Sequence, residues 1–236
     1  MKAFLPIASL LLSLAPCSLI NLGAYTASEI VTNAQPAVVK IIAVDAKQEP
    51  YQTSTGFFIT DDGVLVTNNH VTAGAADLLA QTSTGAIYIF RSVIFRSASL
   101  DLALLKFAAT GVPHLRLGSA VHVVEGQRIV VIARPEGLQT TVSAGIISAL
   151  RDDRSSMQIT AAISPGSSGA PVLDESGQVI GIANPICKDG GDQNCAIAAE
   201  TLKLAFLAGA ELPANNQSQE IDPIVKFPGI HLRVSK

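Results

Sequence analysis

The chain has 236 residues, of which 48% are hydrophobic and 15% charged, with a net charge of −3. A mean hydropathy of +0.40 excludes disorder, which requires low hydrophobicity and high net charge. Sixteen basic against nineteen acidic residues leave no cationic excess to neutralise phosphates, so no nucleic-acid partner is expected.

Part of the apolar excess sits at the start. Lys2 precedes the run Phe4–Ala15, a small positive region followed by an apolar one, which is the anatomy of a secretory signal peptide. Residues 1–27 are read as that signal, with Ala15-Pro16-Cys17 and Tyr25-Thr26-Ala27 as rival cut sites. An uncleaved anchor is the alternative, because weakly apolar residues continue to Ala24 and about 20 positions span a bilayer. The mature protein is expected to be exported, periplasmic or secreted, with no stable membrane association once the signal is cut.

Short apolar runs separated by turn residues follow. Candidate strands are Ala37–Ala43, Gly56–Thr60, Val64–Thr67, Ile87–Phe90, Leu102–Phe107, Arg128–Ala133, Thr141–Ala149, Met157–Thr160 and Val179–Ala183. Asp61-Asp62-Gly63 and Glu175-Ser176-Gly177 read as hairpin turns. Gly111–Gly118 reads as an extended crossing between two halves of similar size. Many short strands at near-regular spacing mean an all-β barrel or sandwich. One helix is convincing after the signal, over Glu200–Leu207 ahead of Gly209. From 208 to 236 a loosely ordered tail is expected, with polar Asn215–Gln219 and interruptions at Pro223 and Pro228.

Cys187 and Cys195 flank a Gly- and Asp-rich loop. In an exported chain such a pair reads as a disulfide. Two free thiols and part of a zinc site are the alternatives, although no Cys-x-x-Cys or paired His lies nearby to complete four zinc ligands. His114, His122 and His231 read as ordinary surface or core residues.

Three segments carry chemistry. Ser164-Pro165-Gly166-Ser167-Ser168-Gly169-Ala170-Pro171 brackets a serine with glycines in a tight turn. A nucleophilic serine needs an exposed hydroxyl on a rigid turn with backbone N–H groups beside it. Val64–Thr67 delivers His70 just beyond its end. Asp101 stands directly ahead of the apolar run Leu102–Leu105, a costly place for a carboxylate without a partner. Separately these read as a plain β-turn, a structural histidine and a strand-start cap. Together, the order His70, Asp101, Ser168 is that of the two-barrel serine peptidases, with the cleft between the barrels.

At these residues the chain resembles the trypsin-like serine peptidases, and most closely the bacterial Deg/HtrA group. Ala37–Ile41 resembles the opening strand of that group. Ser54-Thr55-Gly56-Phe57 and Thr67-Asn68-Asn69-His70-Val71 are similar to its Gly-Ser-Gly-Phe and Thr-Asn-Asn-His-Val signatures. Asp101-Leu102-Ala103-Leu104-Leu105-Lys106 resembles its Asp-Ile-Ala-Leu-Leu-Lys block, and Pro165–Pro171 its nucleophile block. Three departures stand out: Ser167 for the usual Asn or Asp, Ala170 for a glycine, and Arg134 where a glycine is common. The peptide-binding PDZ domain that usually follows is expected to be missing, because few residues come after Leu207.

The resemblance implies two six-stranded antiparallel β-barrels with a short C-terminal helix. The peptidase domain is expected over 28–207, barrel one at about 30–112 and barrel two at about 118–205. Ser168 is the expected nucleophile, His70 its base and Asp101 the residue that orients His70. The amides of Gly166, Ser167 and Ser168 are candidates for the oxyanion hole. Ala162, Ile163, Ile182 and Ala183 are expected to line the primary pocket; none is a carboxylate, so small aliphatic side chains are favoured. No metal or organic cofactor is called for, and the expected partners are protein or peptide substrates. Two rivals are a catalytically impaired, protein-binding version of the fold and an esterase, the latter without the strand–nucleophile–helix elbow of α/β hydrolases.

Overall fold

The computed structural model describes residues 25–137, 140–151, 154–185 and 194–211. Strands β1 (Val38–Val44), β2 (Pro50–Phe58), β3 (Val64–Thr67), β4 (Asp77–Gln81), β5 (Ile87–Ser97) and β6 (Leu102–Phe107) close an antiparallel barrel in the order β1-β2-β3-β6-β5-β4. Strands β7 (Arg128–Ala133), β8 (Thr141–Arg151), β9 (Ser156–Ile159), β10 (Pro171–Leu173), β11 (Val179–Asn184) and β12 (Cys195–Ala198) close a second, ordered β10-β11-β12-β9-β8-β7. Helix α1 (Ala27–Ala34) precedes the barrels and α2 (Ala199–Glu211) follows them. The fold is the expected pair of six-stranded barrels.

Near-continuous apolar runs arise because the strands at the seam are buried on both faces. Successive side chains point to opposite faces. On β6, Ala103, Leu105 and Phe107 fill the interior of barrel one, while Leu102 and Leu104 enter the core between the barrels. On β7, Ile129, Val131 and Ala133 fill barrel two, while Val130 and Ile132 face that shared core. Phe57, Val66, Leu173, Val179 and Ile182 complete the shared core, capped by Ile30 of α1 and Leu202 of α2. The crossing segment is stitched to both sides. Leu115 N–H donates to Phe58 O at 2.9 Å, and Gly118 N–H to Val179 O at 2.8 Å.

Several elements differ from expectation. The strands β4, β10 and β12 have no counterpart among the candidates, and β5 extends to Ser97. Helix α1 starts where the expected signal ends. Thr26 caps it: Thr26 Oγ1 accepts from Glu29 N–H at 3.3 Å and Glu29 Oε2 accepts from Thr26 N–H at 2.8 Å, a capping box. The bond from the Thr26 N–H holds the Glu29 carboxyl below its ordinary range. A cut after Ala27 would remove that cap. Helix α2 runs through Gly209 to Glu211. Gly209 does not end it; a Cβ there would lie 2.7 Å from Ile94 Cγ2, so glycine lets the helix approach β5.

The expected signal residues 1–24, Cys187 and most of the expected tail, residues 212–236, lie outside the described residues. Among the described residues, no helix is long and apolar enough to cross a membrane.

Candidate active site

Barrel one brings a histidine onto a carboxylate. β3 ends at Thr67, and the one-turn 3-10 helix Asn69–Thr72 carries His70. Asp101 sits one residue ahead of β6 in left-handed backbone, φ 51°, a conformation that costs a non-glycine residue about 1–2 kcal/mol. Bonds on every side hold it there. Asn68 Nδ2 donates to Asp101 O at 2.9 Å, and His70 N–H donates to Asp101 Oδ1 at 2.9 Å. The His70 ring lies against the same carboxylate, Nδ1 being 3.0 Å from Oδ1 and 2.8 Å from Oδ2. From barrel two, Asn184 Nδ2 donates to Asp101 Oδ2 at 2.9 Å. The partly buried carboxylate thus has a donor for each of its oxygens, as a buried polar group requires. It fixes the neutral imidazole with its proton on Nδ1, leaving Nε2 as an acceptor.

Barrel two supplies the serine loop. Ser167 N–H donates to Ser164 O at 2.9 Å across Pro165-Gly166, and Gly166 has φ 84°, the signature of a type II turn. A Cβ on Gly166 would also lie 3.0 Å from Pro135 Cα. The loop is then tied to β2 of barrel one. Thr55 Oγ1 donates to Gly166 O at 2.8 Å and accepts from Arg134 N–H at 3.0 Å. Ser168 O accepts from Ser54 Oγ at 2.9 Å and Thr55 N–H at 3.1 Å. Gly169, at φ 82°, has no room for a side chain: a Cβ would fall 2.3 Å from Thr55 O and 2.4 Å from Thr67 Oγ1. The loop therefore lies flush on the ends of β2 and β3, beside the turn that carries His70.

Of the amides from Gly166 to Ala170, those of Gly166 and Ser168 have no acceptor among the described residues. The Ser167 amide is committed to Ser164 O, which removes it from the three expected oxyanion donors. No hydrogen bond joins Ser168 Oγ to the His70 ring among the described residues; such bonds commonly tighten only when substrate arrives. Ala170 is fully buried in the core of barrel two and is not in left-handed backbone, so its methyl group is accommodated where the resemblance favours glycine.

The four expected pocket residues divide. Ala162 is exposed and Ile163 half-buried. Ile182 and Ala183 are fully buried, Ile182 in the core between the barrels and Ala183 in that of barrel two. Their side chains are closed to solvent, so as open pocket walls they are corrected: strand alternation on β11 turns both into cores. Cys195, the described member of the cysteine pair, is buried at the start of β12.

Sequence reasoning overlooked Asn184 and gave no role to Asn68, Ser54 and Thr55, which it quoted only as parts of matching motifs. The signal was available: all four are buried polar residues, Thr55 and Asn68 fully so, and buried polar groups need partners. Asn184 ends a strand that is otherwise apolar.

Comparison with known proteins agrees with this fold. The chain is 37% identical over 144 residues to a "Probable periplasmic serine endoprotease DegP-like" of Chlamydia pneumoniae, covering 58% of this chain and 29% of that protein. It is 31% identical over 178 residues to the protein of the same description in Ectopseudomonas mendocina, covering 72% and 37% respectively. The chain thus spans between 29% and 37% of the length of these relatives. The serine endoprotease from Yersinia pestis superposes with a TM-score of 0.69 at 25% identity, over 77% of this chain and 65% of that one. The HtrA-type protease AlgW with tripeptide gives 0.68 at 31% identity, over 80% and 64%. The family model described as "Trypsin-like peptidase domain" matches residues 54–182, from the serine that anchors the loop on β2 into β11, more than half of the chain, which therefore belongs to the trypsin-like peptidase family.

Proposed function

We propose that this protein is an exported serine endopeptidase, periplasmic or secreted, that hydrolyses peptide bonds through an acyl-enzyme. Ser168 Oγ attacks the scissile carbonyl while His70 Nε2 takes its proton; the ring then gives that proton to the leaving amine. Asp101 keeps the tautomer and stabilises the imidazolium. The Gly166 and Ser168 amides hold the oxyanion, and losing one such donor costs about 3–4 kcal/mol in comparable sites. Water then attacks the acyl-enzyme by the reverse sequence.

One observation carries the reading: the His70 ring is clamped through Nδ1 on Asp101, which leaves Nε2 for a nucleophile. The names of the relatives support endoproteolysis and a periplasmic setting. A fluorophosphonate probe is expected to label the wild type and leave a Ser168→Ala variant unlabelled. No labelling of the folded wild type would turn the fold into a binding module.

With Ala162 and Ile163 as its accessible apolar walls, the primary pocket takes small aliphatic side chains such as Val, Ala or Ile. Peptides differing only in Val, Arg or Phe at that position test this, and a clear preference for Arg would overturn it. Cys187 pairs with Cys195 in a disulfide that closes the loop between them. Alkylation before and after reduction should differ by two thiols; equal uptake would show both to be free.

A further inference from the structure

Arg134 follows β7 and is 7% exposed. Its Nε and Nη1 are buried with no hydrogen-bond partner, and among the described residues it forms no ion pair. Burial alone pushes its pKa below the ordinary value, with no anion opposing the shift. A buried cation without a partner is costly and uncommon; nothing within the described fold explains its retention. Its position is informative. Val130 and Ile132 of β7 face the core between the barrels, and by the same alternation Arg134 falls on that side. Its N–H is bonded to Thr55 Oγ1, which holds Gly166 O, and the next residue, Pro135, lies directly against Gly166. An unpaired guanidinium is thus installed at the seam, on a residue whose backbone amide is linked to the serine loop by two hydrogen bonds through Thr55 Oγ1.

We propose that Arg134 is a specificity residue that receives a carboxylate of the bound polypeptide beside the scissile bond. With Nε and Nη1 enclosed, the remaining Nη2 offers a carboxylate a charge-assisted hydrogen bond, roughly twice as strong as a neutral one. Both partners would be shielded from water in the filled cleft, which strengthens the pair. The carboxylate is either an acidic side chain or the C-terminal carboxylate of the polypeptide. The inference rests on the proposed endopeptidase reading for where substrate lies, not for the chemistry of the cut.

The test uses peptide pairs differing only in Asp against Asn or Glu against Gln at each of the three positions on either side of the scissile bond. One further pair has a free or an amidated C-terminus. For wild type, one pair is expected to show an acid-to-amide ratio in kcat/KM of about tenfold to a hundredfold. Arg134→Gln should bring that ratio close to one, and Arg134→Lys should restore part of it. A side-chain pair carrying the ratio identifies an acidic residue, the last pair a C-terminus. No acid preference at any position, or a ratio unchanged by Arg134→Gln, overturns the proposal.

The same pairs, labelled and bound to Ser168→Ala and to Ser168→Ala/Arg134→Gln, give the ratio in Kd without any cleavage. A ratio seen there and lost with Arg134 supports the carboxylate site even if hydrolysis fails. No such ratio in Kd or kcat/KM rejects the site even if hydrolysis succeeds. Because Arg134→Gln removes a charge that has no partner, no new buried ion is stranded, and a thermal unfolding curve verifies that the variant is folded.

Discussion

The two barrels hold their share of the site in opposite ways. In barrel one, His70 and Asp101 are fixed largely by bonds within the barrel: the ring on the carboxylate, the His70 amide on the same carboxylate, and Asn68 on the Asp101 carbonyl. In barrel two, the Gly166 and Ser168 carbonyls are seated by Ser54 and Thr55 of the other barrel. The His70–Asp101 pair is therefore a local construction, whereas the Gly166–Ser168 turn, the proposed oxyanion hole, is only as well placed as the seam. Damage to the first should be a fault of chemistry; damage to the second should be a fault of geometry.

The largest expected effect breaks the local construction. Asp101→Asn leaves the shape but reverses the tautomer of His70, and kcat for a cleaved peptide should fall by roughly 10⁴-fold. A fall of less than tenfold would mean that His70 is oriented by something else. Next is the seam itself. Gly169→Ala puts a methyl group into Thr55 O and Thr67 Oγ1 in backbone that favours glycine. Strain and overpacking together should cost about 3–5 kcal/mol in thermal unfolding. A loss below about 1 kcal/mol would show that the loop can lift off β2 freely.

Thr55→Val tests the comparison most directly, because it keeps the shape of the side chain. It strands Gly166 O and Arg134 N–H, which Thr55 Oγ1 joins, at about 1–3 kcal/mol for a buried unpaired group. Turnover should drop with the oxyanion turn loosened, while the downfield Nδ1 proton resonance of His70 persists. Loss of that resonance would mean that the two halves are not separately held.

How much of this was legible in the sequence follows the same division. The strands β3, β6 and β7 are readable to the residue, since each is a run of apolar side chains buried on both faces. The short β4, β10 and β12 are not. Each pairs on one side with a strand far along the chain, such as Val172 opposite Val131, and three to five residues carry no period of their own. The triad candidates are legible because His70, Asp101 and Ser168 each interrupt an apolar or glycine-rich pattern. The residues that seat them are less so: Thr55 and Asn184 lie inside ordinary strand sequence, and only the closure of two barrels gives them partners. The burial of Ile182 and Ala183 is hidden for a related reason, because resemblance gives the segment but not that both faces of β11 are covered. Helix α1 was legible in principle, through Thr26 and Glu29, and was hidden by the apolar run before it.

The smallest effect sets the lower bound on what holds barrel one. At the turn between β2 and β3, Lys106 Nζ donates to Asp62 Oδ2 at 2.5 Å and to Asp62 O at 2.6 Å. The Lys106 bond first, then the Thr60 hydroxyl, lowers the Asp62 carboxyl below its ordinary 3.8. A carboxyl depressed in the folded state stabilises the fold fully above its unfolded value, and that contribution is lost as pH falls through the depressed folded value. With the Asp62 side chain 62% exposed, solvent screening limits the pair to about 0.2–1 kcal/mol. Asp62→Asn should therefore lower Tm slightly at pH 7, and the gap to wild type should close as both are melted at pH values below 3.8. If barrel one owes its rigidity to its apolar interior and to the bonds around Asp101, peptide turnover at pH 7 will not change in this variant. A loss well above 1 kcal/mol, or a fall in turnover, would mean that a surface charge on the β2–β3 turn helps to hold the histidine end of β3, and the contrast between a self-contained barrel one and a dependent loop in barrel two would weaken.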